Sequence, residues 1–317
     1  MSEPYDWSSH HWIIFSSIVS TVLLLDLFVF HKKDTEPTLK ESAFWTLGWC
    51  SVALSFNALV YYWAGEQKAI EFLSGYVVEW SLSMDNVFVF VVIFNFFQIP
   101  LKNQHRVLFW GILGAIILRL IFVMLGAELI HRFEWIMWVF GAFLVFTGIK
   151  LMLHSDEDLH PENNILYRLG TKFFNIHPSP HNHEFFVREN GKTYATNLFL
   201  VLLVIESSDV LFAIDSVPAI FGITRDPFIV FSSNIFAILG LRSLYFLLAG
   251  VMHLFRFLKY GLSLILIFVG LKMVVDFWLP NPNGGHWLSP GQSLAVIASI
   301  LTISILASVL TRERKAS

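Results

Sequence analysis

The chain has 317 residues, of which 56% are hydrophobic and 14% are charged, with a formal net charge of −3 and a mean hydropathy of +0.64. Soluble domains carry about 25% charged residues, so this chain has too few charges to cover a water-facing surface. The composition excludes an ordinary soluble globular protein, and the small net charge gives no argument for a nucleic-acid partner, so none is predicted.

The N-terminal apolar run is predicted to be a retained membrane span. Glu3 and Asp6 precede the run and Lys32 and Lys33 follow it, which is the wrong charge order for a signal peptide. Cys50 is the only cysteine, so the chain can form neither an intrachain disulfide nor a cysteine-based zinc site.

Apolar stretches long enough to cross a membrane follow one another along the chain. A helix needs about 20 apolar residues to cross a hydrocarbon core of about 30 Å. Nine stretches qualify, at residues 12–30, 43–63, 72–97, 107–130, 134–153, 197–221, 228–254, 260–279 and 291–310. The sequence therefore predicts an all-α polytopic membrane protein with about nine transmembrane helices.

The positive charges in the connections predict the orientation. Fifteen Lys and Arg residues fall in connections on one side, whereas only Lys68, Arg132 and Arg225 fall on the other. We therefore expect the N-terminus outside and the C-terminus in the cytoplasm.

Two segments of the chain resemble each other, which indicates an internal repeat. Arg119 aligns with Arg242, Gly148-Ile149-Lys150 with Gly270-Leu271-Lys272, and the acid pair Glu79 and Asp85 with Asp209 and Asp215. Each copy holds three spans, and an odd number predicts inverted repeats, as in many secondary transporters. The resulting organisation is two N-terminal helices in 1–70, repeat A in 71–153, a cytoplasmic loop in 154–196, repeat B in 197–280, and a final helix with a basic tail in 281–317.

The predicted spans contain more acids than arginines. Ionisable side chains inside a bilayer are costly and mark functional sites. The acids are Asp26, Glu79, Asp85, Glu206, Asp209 and Asp215, and the arginines are Arg119 and Arg242. Such an excess of negative charge must take up protons, cations or both. The competing interpretation, in which the arginines pair with the acids to lock the bundle, explains only part of the set.

The spacing of the acids limits how they can share one ion. Glu206 and Asp209 are three residues apart and lie on one helix face, but Asp209 and Asp215 are six apart, as are Glu79 and Asp85. Six residues separate two side chains by about 120° around a helix and about 9 Å along it. Either the helix breaks between the acids, or one acid binds metal while the other pairs or relays protons. Pro218 favours an irregularity in the sixth predicted span.

Oxygen-bearing side chains next to these acids complete a candidate metal site. The predicted ligands are Glu79, Asp85, Asn86, Glu206, Asp209 and Asp215, with Ser83, Met84 and Ser216 as further donors. Such oxygen ligands suit Mn²⁺, Mg²⁺ or Ca²⁺. A thioether from Met84 would tilt the preference towards a transition metal, although a methionine at this position more often packs.

The loop at 154–196 carries five histidines, His154, His160, His177, His181 and His183. A metal-sensing tract is one interpretation and a solvated Pro- and His-containing loop is the other. Within it, Asn-Gly between short apolar runs in 185–194 predicts a hairpin. No phosphate loop, nucleophile elbow or HExxH motif is present, so the sequence does not indicate an enzyme.

The sequence resembles the TerC family of tellurium-resistance-associated membrane proteins, and especially its Alx-like branch of proposed manganese exporters. The resemblance rests on four motifs: LDL followed by FHKK from Leu25, EWSLSMDN from Glu79, ESSDVLFAIDSVPAIF from Glu206, and DPFIVFSSNIFAILGLRSLYFLLAG from Asp226. It implies a multi-pass inner-membrane protein that exports Mn²⁺, with Ca²⁺ or Mg²⁺ less favoured, and the family motifs match Glu79, Asp85, Asn86, Glu206, Asp209 and Asp215. Met84 departs from the aliphatic residue usual in relatives.

Two functions from different classes are consistent with these observations. The first is export of divalent cations through the carboxylate site, with protons as the exchanged ion. The second is a membrane scaffold that acts in metal or tellurite stress without transporting anything. The lipid bilayer is the predicted partner in both, and the protein partners of a scaffold are not indicated by the sequence.

Overall fold

The computed structural model describes residues 6–30, 38–153, 165–176, 184–189, 191–249, 257–279 and 287–311. Within these ranges the chain forms helices and one short hairpin, as the sequence predicts for an all-α protein. The helices are α1 (Ser9–Phe30), α2 (Leu39–Phe96), α3 (Leu101–Arg132), α4 (Ile136–Leu153), α5 (Ile165–Phe173), α6 (Asn197–Phe221), α7 (Pro227–Leu239), α8 (Leu241–Ala249), α9 (Leu258–Trp278) and α10 (Pro290–Leu310).

Six of the described helices are long and apolar enough to cross a membrane, namely α2, α3, α4, α6, α9 and α10. Helices α7 and α8 meet at a 44° bend and count as a seventh if together they make one broken span. The chain is therefore a polytopic helical membrane protein, whereas the count of nine spans and the inverted repeats stay predictions.

Helix α2 contains two of the predicted spans in one element. It runs for 58 residues with a kink at Gly65, whose φ of 85° and ψ of −179° are readily adopted only by glycine. The sequence predicts a connection between 63 and 72, and the break at Gly65 lies within it. The connection is shorter than expected, because Glu66, Gln67, Lys68 and Ala69 are strong helix formers and already belong to the second helical segment.

Helices α4 and α9 pack closely through two glycines. A Cβ added at Gly141 would lie 2.7 Å from the Gly270 carbonyl oxygen, and one at Gly270 would lie 2.5 Å from that of Gly141. Gly148, farther along α4, faces Ser263 near the start of α9, so the two helices run antiparallel. Small residues allow this approach where bulkier ones would separate the helices.

A small structured unit follows α4. Helix α5 packs through Gly170 against Leu200 and Leu203 of α6. The predicted hairpin is present, with β1 (Phe186–Glu189) antiparallel to β2 (Lys192–Ala195) and Gly191 at a positive φ of 77° in the turn. Helix α5 was not predicted. The five histidines of the proposed metal-sensing tract lie outside the described residues.

Candidate metal site

The predicted acids lie on two helices, and neither helix is broken between the acids that it carries. Glu79 and Asp85 lie on α2, whose kink is 14 residues before Glu79, and Glu206, Asp209 and Asp215 lie on α6, which runs through Pro218 to Phe221. Helix α6 therefore shows no break between Asp209 and Asp215. Since a continuous helix turns side chains six residues apart to different faces, the acids separate into two groups.

The first group surrounds Arg119 of α3. Its Nη1 donates to Glu79 Oε2 at 2.9 Å and to Asn234 Oδ1 of α7 at 2.5 Å, and it also donates to Ser216 Oγ of α6. Its Nη2 lies 2.7 Å from Glu79 Oε1. Glu79 has no exposed surface and Arg119 is 4% exposed, so this ion pair is buried on both sides.

Asp209 and Glu206 extend this group along α6. Asp209 is buried and interacts electrostatically with Glu206, Arg119 and Glu79. The Glu206 carboxylate lies directly over Gly114 of α3, where a side chain would overlap it. Glycine at this position therefore creates the space that the carboxylate occupies.

The second group lines a cavity of about 90 Å³ between α2, α4, α6 and α9. Asp85 and Asn86 reach it from α2, Asp215 from α6 and Thr147 from α4. The apolar part of the lining consists of Leu82, Leu151, Phe212, Leu262 and Leu266. Two carboxylates on different helices thus face one space together with an amide and a hydroxyl.

Asp215 is held in place by residues of α4. Thr147 forms a hydrogen bond with the Asp215 carboxylate, and Lys150 interacts with it electrostatically. Thr147 was not among the predicted ligands, although it directly precedes the Gly148-Ile149-Lys150 motif of the predicted repeat. That motif was the one available signal for its position.

The other predicted donors have different surroundings. Ser83 is completely buried, and its Oγ has no hydrogen-bond partner in the described part of the chain. Met84 is buried in a hydrophobic cluster with Phe90 and Leu244, which agrees with a packing role. Arg242 is 4% exposed at the start of α8. The Asp26 side chain lies outside the described residues.

Metal coordination here would depend on more than carboxylates. Across the described ranges, no point gathers three or more His, Cys, Asp or Glu side chains that could hold a metal ion. A hard cation accepts amide, hydroxyl and water oxygens beside one or two carboxylates. The cavity with Asp85, Asp215, Asn86 and Thr147 offers this mixture of ligands.

A partly buried polar network near the kink of α2 was not predicted from the sequence. Lys68 Nζ is 2.9 Å from Glu71 Oε2 and 3.1 Å from Asp226 Oδ2. The Thr224 hydroxyl donates to Glu71 at 2.6 Å, and the Trp7 indole donates to Asp226 at 2.7 Å. Asp226 also caps α7, so the network joins the start of α7 to α2 and to the N-terminal segment.

Lys272 of α9 bonds to the end of α6. Its Nζ donates to the Gly222 carbonyl oxygen at 2.8 Å, and the pair is buried. An ammonium group at a helix C-terminus satisfies a free carbonyl and compensates the helix dipole. The bond fixes the end of the helix that carries Asp215.

Comparison with known proteins gives a family and several long matches. A model described as "Integral membrane protein TerC family" matches residues 64–316. An uncharacterized membrane protein of Myxococcus xanthus is 48% identical over 299 residues, covering 94% of this chain and 92% of the relative. An Escherichia coli K12 protein named "Putative membrane-bound redox modulator Alx" is 43% identical over 305 residues, covering 93% and 92%. No solved structure matches the chain.

Proposed function

Because the chain belongs to the TerC family of integral membrane proteins, we propose that it exports divalent metal cations, foremost Mn²⁺, across the inner membrane. The observation that supports this most is that Asp85 of α2 and Asp215 of α6 line the same cavity. In this proposal the two carboxylates bind the cation. The Asn86 amide and the Thr147 hydroxyl add neutral oxygen ligands.

The donor set supports a hard or borderline cation. Carboxylate, amide and hydroxyl oxygens suit Mn²⁺, Mg²⁺ and Ca²⁺, while thiolate and imidazole ligands, which select softer metals, do not line the described cavity. Two carboxylates carry the charge that balances one divalent ion, provided that Lys150, which interacts with Asp215, moves aside when the ion binds. This balance is the physical reason why the cavity would favour a divalent over a monovalent cation.

The second group of acids supports exchange against protons. Glu206 and Asp209 lie on α6 outside the cavity lining, and Asp209 is buried beside Glu79 and Arg119. A buried acid that does not bind the metal can carry a proton in the opposite direction. Export would then run from the cytoplasm outwards, with the N-terminus in the periplasm and the C-terminus in the cytoplasm.

Transport into everted membrane vesicles tests this function. Vesicles containing the protein should accumulate Mn²⁺, a proton gradient should stimulate the uptake, and Asp85→Asn or Asp215→Asn should abolish it. Glu128→Gln is a matched control, because Glu128 is an exposed acid at the end of α3, 57% exposed, and pairs with Arg132. Normal uptake by both cavity variants would refute the assignment of the site.

A membrane scaffold that does not transport is the second candidate. The name of the Escherichia coli relative describes a modulator, and the buried Glu79–Arg119 pair is an arrangement that can serve structure alone. Disulfide exchange within the chain is excluded for either role, because Cys50 is the only cysteine. Purified protein in liposomes distinguishes the two: no flux of Mn²⁺, Mg²⁺ or Ca²⁺ together with stable soluble partners in pull-downs would favour the scaffold.

A further inference from the structure

The guanidinium of Arg119 fills a cage of three oxygen atoms, and we propose that this cage is a second binding site for the exported divalent cation. Glu79 of α2, Ser216 of α6 and Asn234 of α7 supply the oxygens. Arg119 occupies the site in the present state and leaves it when a cation passes. The inference rests on the proposed export function, since it adds a second site to the same path.

The contacts of a single nitrogen atom indicate the site. Nη1 of Arg119 faces a carboxylate oxygen at 2.9 Å, an amide oxygen at 2.5 Å and the Ser216 hydroxyl. A guanidinium Nη carries two N–H groups, so three acceptors exceed its donors by one. A metal ion has no such directional limit, and it coordinates carboxylate, amide and hydroxyl oxygens together.

Burial makes the exchange of one cation for another necessary. Glu79 and Asn234 have no exposed surface, and Ser216 is 1% exposed. Removing one partner of a buried ion pair leaves an uncompensated charge and is strongly unfavourable. Arg119 can therefore leave Glu79 only when another cation takes its place. Asp209, which interacts electrostatically with both Arg119 and Glu79, can receive the displaced guanidinium.

Oxygen-bearing side chains connect the cage to the cavity. Ser83 follows Glu79 by four residues on α2 and precedes Asn86 by three, so the three side chains lie along one face of the helix. Ser83 is fully buried, and its hydroxyl has no hydrogen-bond partner among the residues described. Asn86 lines the cavity, so a cation leaving Asp85 and Asp215 along this face next meets Arg119. The positively charged Arg119 side chain thus occupies the second site and blocks the path of the ion.

Counting bound Mn²⁺ on purified, metal-stripped protein by equilibrium dialysis tests the inference. Wild type should bind one ion in the cavity, and Arg119→Met should bind two. The double variant Asp85→Asn/Asp215→Asn should bind none, adding Arg119→Met should restore one ion, and further adding Glu79→Gln should remove it. Arg242→Met is the matched control, since Arg242 is also 4% exposed, and its count should stay at one.

The outcomes separate the inference from the function on which it rests. If Arg119→Met in the cavity-deficient background binds no Mn²⁺, the cage is not a cation site. If wild type binds none and Arg119→Met still gains one ion, the cavity assignment fails and the cage stands. Should Arg119→Met not fold, Arg119→Gln replaces it, because a neutral amide can still hydrogen-bond in the cage but removes the fixed positive charge. An Arg119→Gln protein that binds no additional Mn²⁺ would then overturn the proposal.

Discussion

At the scale of single residues, the Glu79–Arg119 pair shows how a buried charge constrains the fold. Both partners are almost completely withdrawn from solvent. In Glu79→Gln the guanidinium loses the carboxylate to which it is bonded, so we expect the free energy of unfolding to fall by about 3–5 kcal/mol. Thermal unfolding in detergent micelles measures the change as a lower midpoint.

A second variant and a control complete this prediction. Glu79→Gln/Arg119→Met removes both charges and should recover most of the loss, because a buried pair replaced by neutral groups is often tolerated. Glu128→Gln breaks an exposed pair with Arg132 and should leave the midpoint unchanged. Equal stability of Glu79→Gln and wild type would show that the pair contributes nothing to folding.

The sequence predicted the acids better than their neutral partners. Glu79 and Arg119 stand out because charges are rare in an apolar span, and the six-residue spacing left two alternatives, a broken helix or separate roles for the acids. Asn234 and Thr147 are single polar residues in apolar runs, and most such residues bond to their own helix backbone, as Ser233 does with Ile229. Only the packing of α7 and α4 shows that Asn234 reaches Arg119 and that Thr147 reaches Asp215.

At the scale of helices, the contact between α4 and α9 depends on the absence of side chains. In Gly270→Ala the new Cβ would lie 2.5 Å from the Gly141 carbonyl oxygen, and a backbone atom cannot move aside without separating the helices. We expect a loss of stability of roughly 1–3 kcal/mol and weaker Mn²⁺ transport, because both helices line the cavity. Thermal unfolding and vesicle uptake measure the two effects.

Gly48→Ala on α2 is the control for this prediction. A Cβ at Gly48 would meet nothing within 4 Å, and alanine favours a helix more than glycine does. Its unfolding midpoint should stay the same or rise. A Gly270→Ala protein as stable as Gly48→Ala would contradict the close packing of α4 on α9.

Helix boundaries were harder to predict than helices. The long apolar runs coincide with helices, but the connection expected between 63 and 72 is reduced to the break at Gly65, since the residues that follow it favour a helix. Pro218 suggested an irregularity, yet helix α6 continues through it to Phe221. Helix α5 is too short to be recognised by length in a polar loop.

At the scale of the whole molecule, the orientation in the membrane is open to direct measurement. Glu134, between α3 and α4, and Lys102, at the start of α3, are both exposed and are predicted to lie on opposite sides. In a Cys50→Ala background, a membrane-impermeant maleimide should label Glu134→Cys in intact cells. Lys102→Cys should react only after the cells are permeabilised, and the reverse pattern would invert the predicted orientation.

The bond from Lys272 to the Gly222 carbonyl affects how the cavity can open. It ties α9 to α6, and the glycine contact ties α9 to α4, so these three walls are connected to one another and α2 forms the fourth. Asp85 stands on α2 and Asp215 on α6. If α2 moves relative to the other three helices, the two carboxylates separate, and in the proposed export function one movement would both open the cavity and release the ion.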